Sequence, residues 1–302
     1  MAQTGVRAMT RRSWAIVGLI VLAVLVVLLS AFALLRDDTP DNPAPGGPGG
    51  PVGTPTTPSA TPAPTPTPTV TPAARADQRF IIATTDALWR ATAGSCGTVE
   101  PLVQRSIDSG KTWKDITPRY RGIAQVASLD PLGKDGAEMV AALGADCTPT
   151  GLRSFTAGKY WEPNSKSLDP ARYLALDDAA KIVSPGDDFA APCPDARGLR
   201  AAGSVITVLC DGDAYVRSGD TWTKLDAPGA VALGISGTDI VVAQSGVTGC
   251  DGVAIALFSG SDGTGTSIGC ASRASTTGPV AIAASTSATY VWSGDAVTRV
   301  AR

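Results

Sequence analysis

The chain contains no histidine. That absence removes every serine–histidine–aspartate and cysteine–histidine nucleophile arrangement. It also removes the imidazole ligands on which catalytic zinc sites usually depend. Any chemistry near neutral pH would have to run on carboxylates, tyrosine, lysine or arginine. Charge is scarce too, at 17% of 302 residues with a formal net charge of -2. From Asp77 onward, 20 Lys and Arg stand against 24 Asp and Glu. A mildly acidic domain has no electrostatic footprint for DNA or RNA, so no nucleic-acid partner is expected.

What is present begins with an uncharged, almost wholly apolar run at residues 14–35. At 1.5 Å per residue it is long enough to cross a hydrocarbon core of about 30 Å. Arg7, Arg11 and Arg12 precede the run, whereas Arg36 is joined at once by Asp37 and Asp38. The excess of arginine on the N-terminal side predicts a cytoplasmic tail (1–13), a transmembrane helix (14–35) and an extracytoplasmic remainder. The membrane is then a partner through residues 14–35. A cleaved signal peptide is the rival reading. Ala31-Phe32-Ala33 fits a small-x-small cleavage site, but the run exceeds the apolar core of about 7–15 residues typical of such signals. Both readings place the rest of the chain outside the cytoplasm.

Residues 36–76 are dominated by Pro, Thr, Gly and Ala, with a near Thr-Pro alternation at 54–72. Such a stretch cannot bury a core and favours extended polyproline II. At about 3.1 Å per residue it is a stalk reaching on the order of 100 Å. Its Ser/Thr-with-Pro composition also suits glycosylation.

The folded part is expected at 77–302. Its most informative segment is Ser106-Ile107-Asp108-Ser109-Gly110-Lys111-Thr112-Trp113, which reads S-x-D-x-G-x-T-W. Ser106 and Asp108 can accept hydrogen bonds from loop N–H groups. Gly110 can supply a left-handed turn position, Thr112 leads into the next strand, and Trp113 can pack beneath the hairpin. Degenerate copies follow. Residues 154–161 keep Ser154, Gly158 and Trp161, and residues 215–222 keep Gly219, Thr221 and Trp222. Residues 259–266 keep Ser259 and Gly263, and residues 290–297 keep Gly294. The copies start 48, 61, 44 and 31 residues apart. Short apolar runs at 80–83, 138–143, 205–209, 239–243 and 279–283 precede them, bounded by turn residues. The nearest approach to a helical pattern, residues 178–182, is too short to carry a fold.

The octapeptide resembles the Asp-box, or BNR, repeat of sialidases, sortilin-type receptors and photosystem assembly factors. In those families the motif caps the hairpin between the two outer strands of a propeller blade. The resemblance implies an all-β propeller, and about 226 residues at roughly 45 per blade gives about five blades, with six as the alternative. It also implies that Trp113, Trp161 and Trp222 are buried at equivalent blade positions.

The six cysteines, Cys96, Cys147, Cys193, Cys210, Cys250 and Cys270, are even in number and belong to an oxidising compartment on this topology. Six cysteines allow 15 pairings; the sequential one is the economical expectation. With no C-x-x-C and no histidine, a metal site is not expected.

Other motifs fail on inspection. Gly110-Lys111-Thr112 lacks the upstream glycine of a P-loop, since Arg105 stands there. Asp211-Gly212-Asp213 opens like a calcium loop, but Trp222 occupies the place of the closing Glu. No cofactor is expected. Sialidases carry an arginine triad, a Tyr–Glu pair and a Phe/Tyr-Arg-Ile-Pro element. This chain lacks that element and has only three glutamates, Glu100, Glu138 and Glu162. The repeat therefore speaks for architecture and not for chemistry. The expected function is a non-catalytic binding or scaffold module whose partner is a protein or a cell-envelope glycan. The alternative is a divergent glycoside hydrolase using carboxylates in the propeller, marked by two facing carboxylates with arginines nearby.

Overall fold

The computed structural model describes residues 74–260 and 263–302. The expected tail, the transmembrane segment at 14–35 and the stalk up to residue 73 lie outside the described residues. Among the described residues no helix is long and apolar enough to cross a membrane.

The short runs of β-branched residues all become strands, and turn residues break the chain between them. The first sheet contains β1 (Arg79–Ala83), β2 (Leu88–Thr92), β3 (Leu102–Ser106) and β4 (Lys114–Asp115). The second contains β5 (Ile123–Leu132), β6 (Gly136–Leu143), β7 (Thr148–Ser154) and β8 (Glu162–Pro163). The third is small: β9 (Tyr173–Leu174), β10 (Lys181–Val183) and β11 (Phe189–Ala190). The fourth holds β12 (Arg197–Ala202), β13 (Val205–Cys210), β14 (Asp213–Ser218) and β15 (Thr221–Lys224). The fifth holds β16 (Ala230–Ser236), β17 (Asp239–Gln244), β18 (Val253–Ser259) and β19 (Thr266–Ala271). The sixth has β20 (Val280–Ala284), β21 (Ala288–Ser293) and β22 (Ala296–Ala301).

Every sheet is an antiparallel meander of consecutive strands. The first strands β1, β5, β9, β12, β16 and β20 touch one another in that order, and β20 returns to β1. Six radial sheets around a closed inner ring make a six-bladed β-propeller. The expectation of about five blades divided the domain by a typical blade length, and the alternative of six is the number observed, because blade 3 is much shorter than a typical blade. Blade 3 carries no motif copy, and its presence explains the 61-residue gap between the second and third copies. The helix-like residues 178–182 are a turn running into β10.

The core is a set of seams between neighbouring blades. Phe80, Trp89 and Val103 of blade 1 pack on Leu129, Met139, Leu152 and Trp161 of blade 2. Leu174 and Ile182 of blade 3 meet Ile206 and Val208 of blade 4. Val216 and Leu225 of blade 4 meet Leu233, Ile240 and Phe258 of blade 5. Val241, Val253 and Ile255 of blade 5 meet Ile282, Val291 and Val300 of blade 6. Finally Ala281, Ala283 and Trp292 of blade 6 close on Ile81 of blade 1. The seam between blades 2 and 3 carries no such apolar cluster among the described residues. Blade 3 is too short to fill it.

The cysteines pair Cys96–Cys147, Cys193–Cys210 and Cys250–Cys270, in sequential order. The first joins blade 1 to blade 2 and closes the longest loop, 51 residues. On the loop-entropy account such a closure stabilises by about 4 kcal/mol. The second ties the linker after blade 3 to β13, and the third lies within blade 5.

The packing sets different weights on the repeat tryptophans. Trp161 is fully buried, edge-on to Trp89 with ring centroids 5.9 Å apart. Trp113 and Trp222 are only half-buried, which corrects the expectation of three equivalent positions. Trp161→Ala is expected to cost about 3–5 kcal/mol in urea unfolding. Trp222→Ala should cost clearly less. Equal losses in the two variants would contradict the seam assignment.

Candidate functional site

The first motif copy is a hydrogen-bonded loop between β3 and β4. Ser106 ends β3, and its hydroxyl accepts from the Gly110 N–H at 2.9 Å and donates to Asp108 Oδ1 at 2.7 Å. Asp108 Oδ1 also accepts the N–H groups of Lys111 (3.0 Å) and Thr112 (2.9 Å), and Oδ2 accepts the Thr112 hydroxyl at 2.6 Å. This set of donors, led by Thr112, holds the carboxyl well below the usual aspartate range. Ser109 and Gly110 both take left-handed backbone, φ 61° and 86°. The Trp113 indole N–H closes the loop on the Gly110 carbonyl at 3.0 Å.

The second copy repeats the geometry with weaker groups. Ser154 ends β7 and accepts from Gly158 N–H at 3.1 Å, and Thr156 stands in for the aspartate by accepting from Tyr160 N–H at 2.9 Å. Ala157 and Gly158 are again both left-handed, at φ 54° and 82°. In the fourth copy Ser259 ends β18 and Gly263 has φ 76°. The third and fifth copies differ. Gly219 (φ 59°) and Gly294 (φ 53°) sit in two-residue hairpins, β14–β15 and β21–β22. Thr221 and Trp222 are then the first residues of β15 rather than the end of a loop. The fifth copy also lies on the second hairpin of its blade and not the third, which accounts for its short 31-residue spacing. The octapeptide register thus joins two turn types.

The repeat tryptophans reach the preceding blade. Trp161 donates to the Ile116 carbonyl, which follows blade 1, at 3.3 Å. Trp222 donates to the Ala190 carbonyl of blade 3 at 3.1 Å and lies 6.3 Å from the Phe189 ring. Trp113 packs in the cluster that joins blade 6 to blade 1, beside Val297.

Two concavities flank blade 2. On its outer edge, a groove of about 470 Å³ runs between the first two motif hairpins, lined by Arg105, Lys114, Thr117, Tyr120, Thr156 and Lys159. The large exposed apolar side chains of the described residues are Val99, Ile107, Tyr120, Phe155 and Tyr160, all on or beside blades 1 and 2. Tyr120 is fastened through its phenol, which accepts from Trp161 N–H and donates to the Trp161 carbonyl. Its ring is 59% exposed nonetheless.

The second concavity is a polar seam between blade 2, the segment ahead of β9 and β12 of blade 4. About 240 Å³ is lined by Ser128, Asp130, Glu138, Ser167, Arg172 and Arg200, with further residues of β5, β6 and β12. Asp130 of β5 pairs in register with Glu138 of β6. Burial in this seam, offset by Arg200 and reinforced by Glu138, pushes the Asp130 carboxyl up to about 6. Sequence reasoning named neither carboxylate as a site. Their spacing across a hairpin was visible, but the cavity that brings them beside Arg172 and Arg200 was not.

No known family model matches the chain, and no curated protein matches it. Solved structures do match. YCF48 from Cyanidioschyzon merolae is 13% identical at TM-score 0.37, over 74% of this chain and 81% of that one. The SapL1 lectin, in complex with alpha methyl fucoside, is 17% identical at TM-score 0.42, over 76% and 94%. The GH74 enzyme of Niastella koreensis is 12% identical at TM-score 0.39, over 74% and 44%. Likenesses this distant carry no argument about ligand or activity. The propeller rests on the six sheets themselves.

The Asp108 loop predicts a pH dependence. A carboxyl held below its unfolded value adds stability above about pH 4 and loses it as pH falls through the depressed folded value. Thermal unfolding of the wild type against Asp108→Asn should show a steady gap from pH 7 to 5 that narrows below about pH 4. A gap unchanged down to about pH 2 would contradict the bonding described.

Proposed function

We propose that the chain is a non-catalytic binding module, anchored in the cell membrane by residues 14–35 and raised on the stalk at 36–76. Its hairpins at Ser106–Trp113 and its relatives are Asp-box hairpins, used as architecture. The contact surface is the aromatic rim on blades 1 and 2, and the partner is a cell-envelope glycan or a protein.

The observation that carries this reading is the gathering of the large exposed apolar groups of the described residues on and beside blades 1 and 2. Ile107 is 73% exposed, Phe155 65% and Tyr160 56%; Tyr120 lines the groove, and Phe155 and Tyr160 flank its lining residues Thr156 and Lys159 in the chain. Large exposed apolar side chains gathered in one place mark interaction sites, whereas scattered ones need no explanation. The rings are partly ordered by cations: Arg121 lies 5.3 Å from the Tyr120 ring, Arg153 5.2 Å from Phe155 and Lys159 5.2 Å from Tyr160. A fixed aromatic plate with charged neighbours loses little entropy on binding a sugar face or a peptide.

A second reading rests on Asp130 and Glu138, with Arg172 and Arg200 lining the same cavity. A carboxyl pushed up by burial with a second carboxyl beside it is the pairing that glycoside hydrolysis uses. Against it, register neighbours on adjacent strands project from the same side of one sheet. A glycosidase needs its carboxylates to flank the scissile bond. The cavity is also smaller than the range of about 300–1,000 Å³ typical of ligand pockets.

The purified full chain, tested on a glycan array and on defined cell-envelope proteins, distinguishes the two readings. The Phe155→Ala, Tyr160→Ala double variant should bind at least about tenfold more weakly, with little change in stability, because both rings are exposed. Turnover of fluorogenic glycosides that disappears in Asp130→Asn would replace the binding reading with the hydrolytic one.

A further inference from the structure

At the face of the ring where the inner strands begin, the channel mouth holds a second cavity of about 80 Å³. Arg79, Arg197 and Arg200 line it, with apolar wall from Leu209, Leu233 and Val280. We propose that this mouth binds a compact oxyanion, a phosphate or a carboxylate group, with Arg197 as its direct ligand. The site is separate from the aromatic groove and shares only Arg200 with the Asp130 cavity, and it stands whether or not either of those functions as proposed.

Three observations support it. First, Arg197 Nε and Nη1 are both buried and find no acceptor within the protein. A buried cationic donor without an acceptor keeps the full cost of its desolvation, so folds rarely retain one without a ligand. Second, the positive charge around the channel is not neutralised by ion pairs. The salt bridges of the described residues join Arg105 to Asp135, Arg119 to Glu100 and Asp115, Lys181 to Asp188, Arg217 to Asp220 and Lys224 to Asp213. None involves Arg75, Arg79, Arg197 or Arg200. Asp195 and Asp211 line the same cavity, but both are exposed to solvent and neither comes within ion-pair distance of Arg197. Arg75 is lowered from the usual arginine value by burial first and then by the proximity of Arg197, with Asp177 and Asp178 acting the other way. Third, the other guanidinium groups are already engaged and fix the frame. Arg79 donates to the Gly294 carbonyl at 2.8 Å, and Arg200 donates to the Leu199 carbonyl at 2.9 Å and the Arg79 carbonyl at 3.4 Å. Of these three, Arg197 alone has buried donors without a partner, while its neighbours supply field from a wall of low polarity.

The size of the cavity sets the ligand class. At about 15 Å³ for each water, it accommodates roughly five waters, the bulk of an oxyanion of four or five heavy atoms. Sugars and nucleotides are too large to enter whole, though a phosphate or carboxylate group on a larger molecule could enter alone.

The test uses the full chain in thermal unfolding with chloride, inorganic phosphate or acetate at equal ionic strength. A ligand that binds only the folded state raises the melting temperature with concentration. The wild type should rise in phosphate, acetate or both over chloride, and the arm with the larger rise names the oxyanion. Arg197→Met should unfold at or above the wild-type temperature in chloride, because a buried unpaired charge has been removed, and should show no rise with either anion. Arg197→Lys, which keeps the charge with fewer fixed donors, should weaken the half-maximal concentration at least about tenfold. Arg119→Gln, at an exposed ion pair, should respond as the wild type does. No anion-dependent rise in the wild type, or an equal rise in Arg197→Met and Arg197→Lys, would overturn the proposal.

Discussion

Among the described residues the ring is closed by side chains. Each of the six sheets described is built from its own consecutive strands, and no hydrogen-bonded ladder among them joins the last blade to the first. A stack of arginine and tryptophan joins them, beside the contact of Ile81 with Ala281 and Ala283. Arg79 lies 4.3 Å from the Trp292 ring, and Arg90 lies between Trp113 at 4.1 Å and Trp292 at 4.7 Å. Burial, aided by the neighbouring Arg79, lowers the Arg90 guanidinium to about 10. It is still cationic at neutral pH, and partly desolvated cation–π contacts of this kind contribute about 0.5–2 kcal/mol each. Gly110 completes the fit, because a Cβ there would meet Val297 Cβ at 3.0 Å. The first motif loop is therefore both a turn and a packing surface for blade 6.

The other seams follow the same rule, and the exception locates a polar site. Apolar clusters fill five of the six blade interfaces, and the repeat tryptophans of blades 1, 2 and 4 lean on the blade before them. Blade 3 has strands of two, three and two residues. It presents no apolar cluster to blade 2, and beside it Asp130 and Glu138 line a cavity with Arg172 and with Arg200 of blade 4. The same pair of arginines that brace the inner ring, Arg79 and Arg200, leave Arg197 beside them with donors to spare.

The sequence disclosed the architecture through one feature, the octapeptide at 106–113, because every residue in it has a local job that survives degeneracy: Ser154 and Thr156 do with hydroxyls what Ser106 and Asp108 do with a carboxylate. It disclosed the blade count less well. Blade 3 has no motif, no long apolar run and no tryptophan, so nothing in its residues announced a sheet. The matches at Gly219 and Gly294 were genuine turns of a different kind, since a glycine and a following strand suffice for a two-residue hairpin. The cavities were illegible for a geometrical reason. Arg79, Arg197 and Arg200 meet only because inner strands of blades 1 and 4 face one channel, and no local spacing records that.

The account turns on whether the blade 6–blade 1 contact holds the whole ring or only its own edge. Amide hydrogen exchange on the wild type and on Trp292→Ala measures this directly. The account predicts that protection falls together in β1, β2, β20 and β21, followed by the inner strands β5, β12 and β16 at a common lower opening energy, because no strand ladder among the described residues closes the ring. Loss confined to β20–β22, with β1 and the remaining inner strands as protected as before, would contradict it.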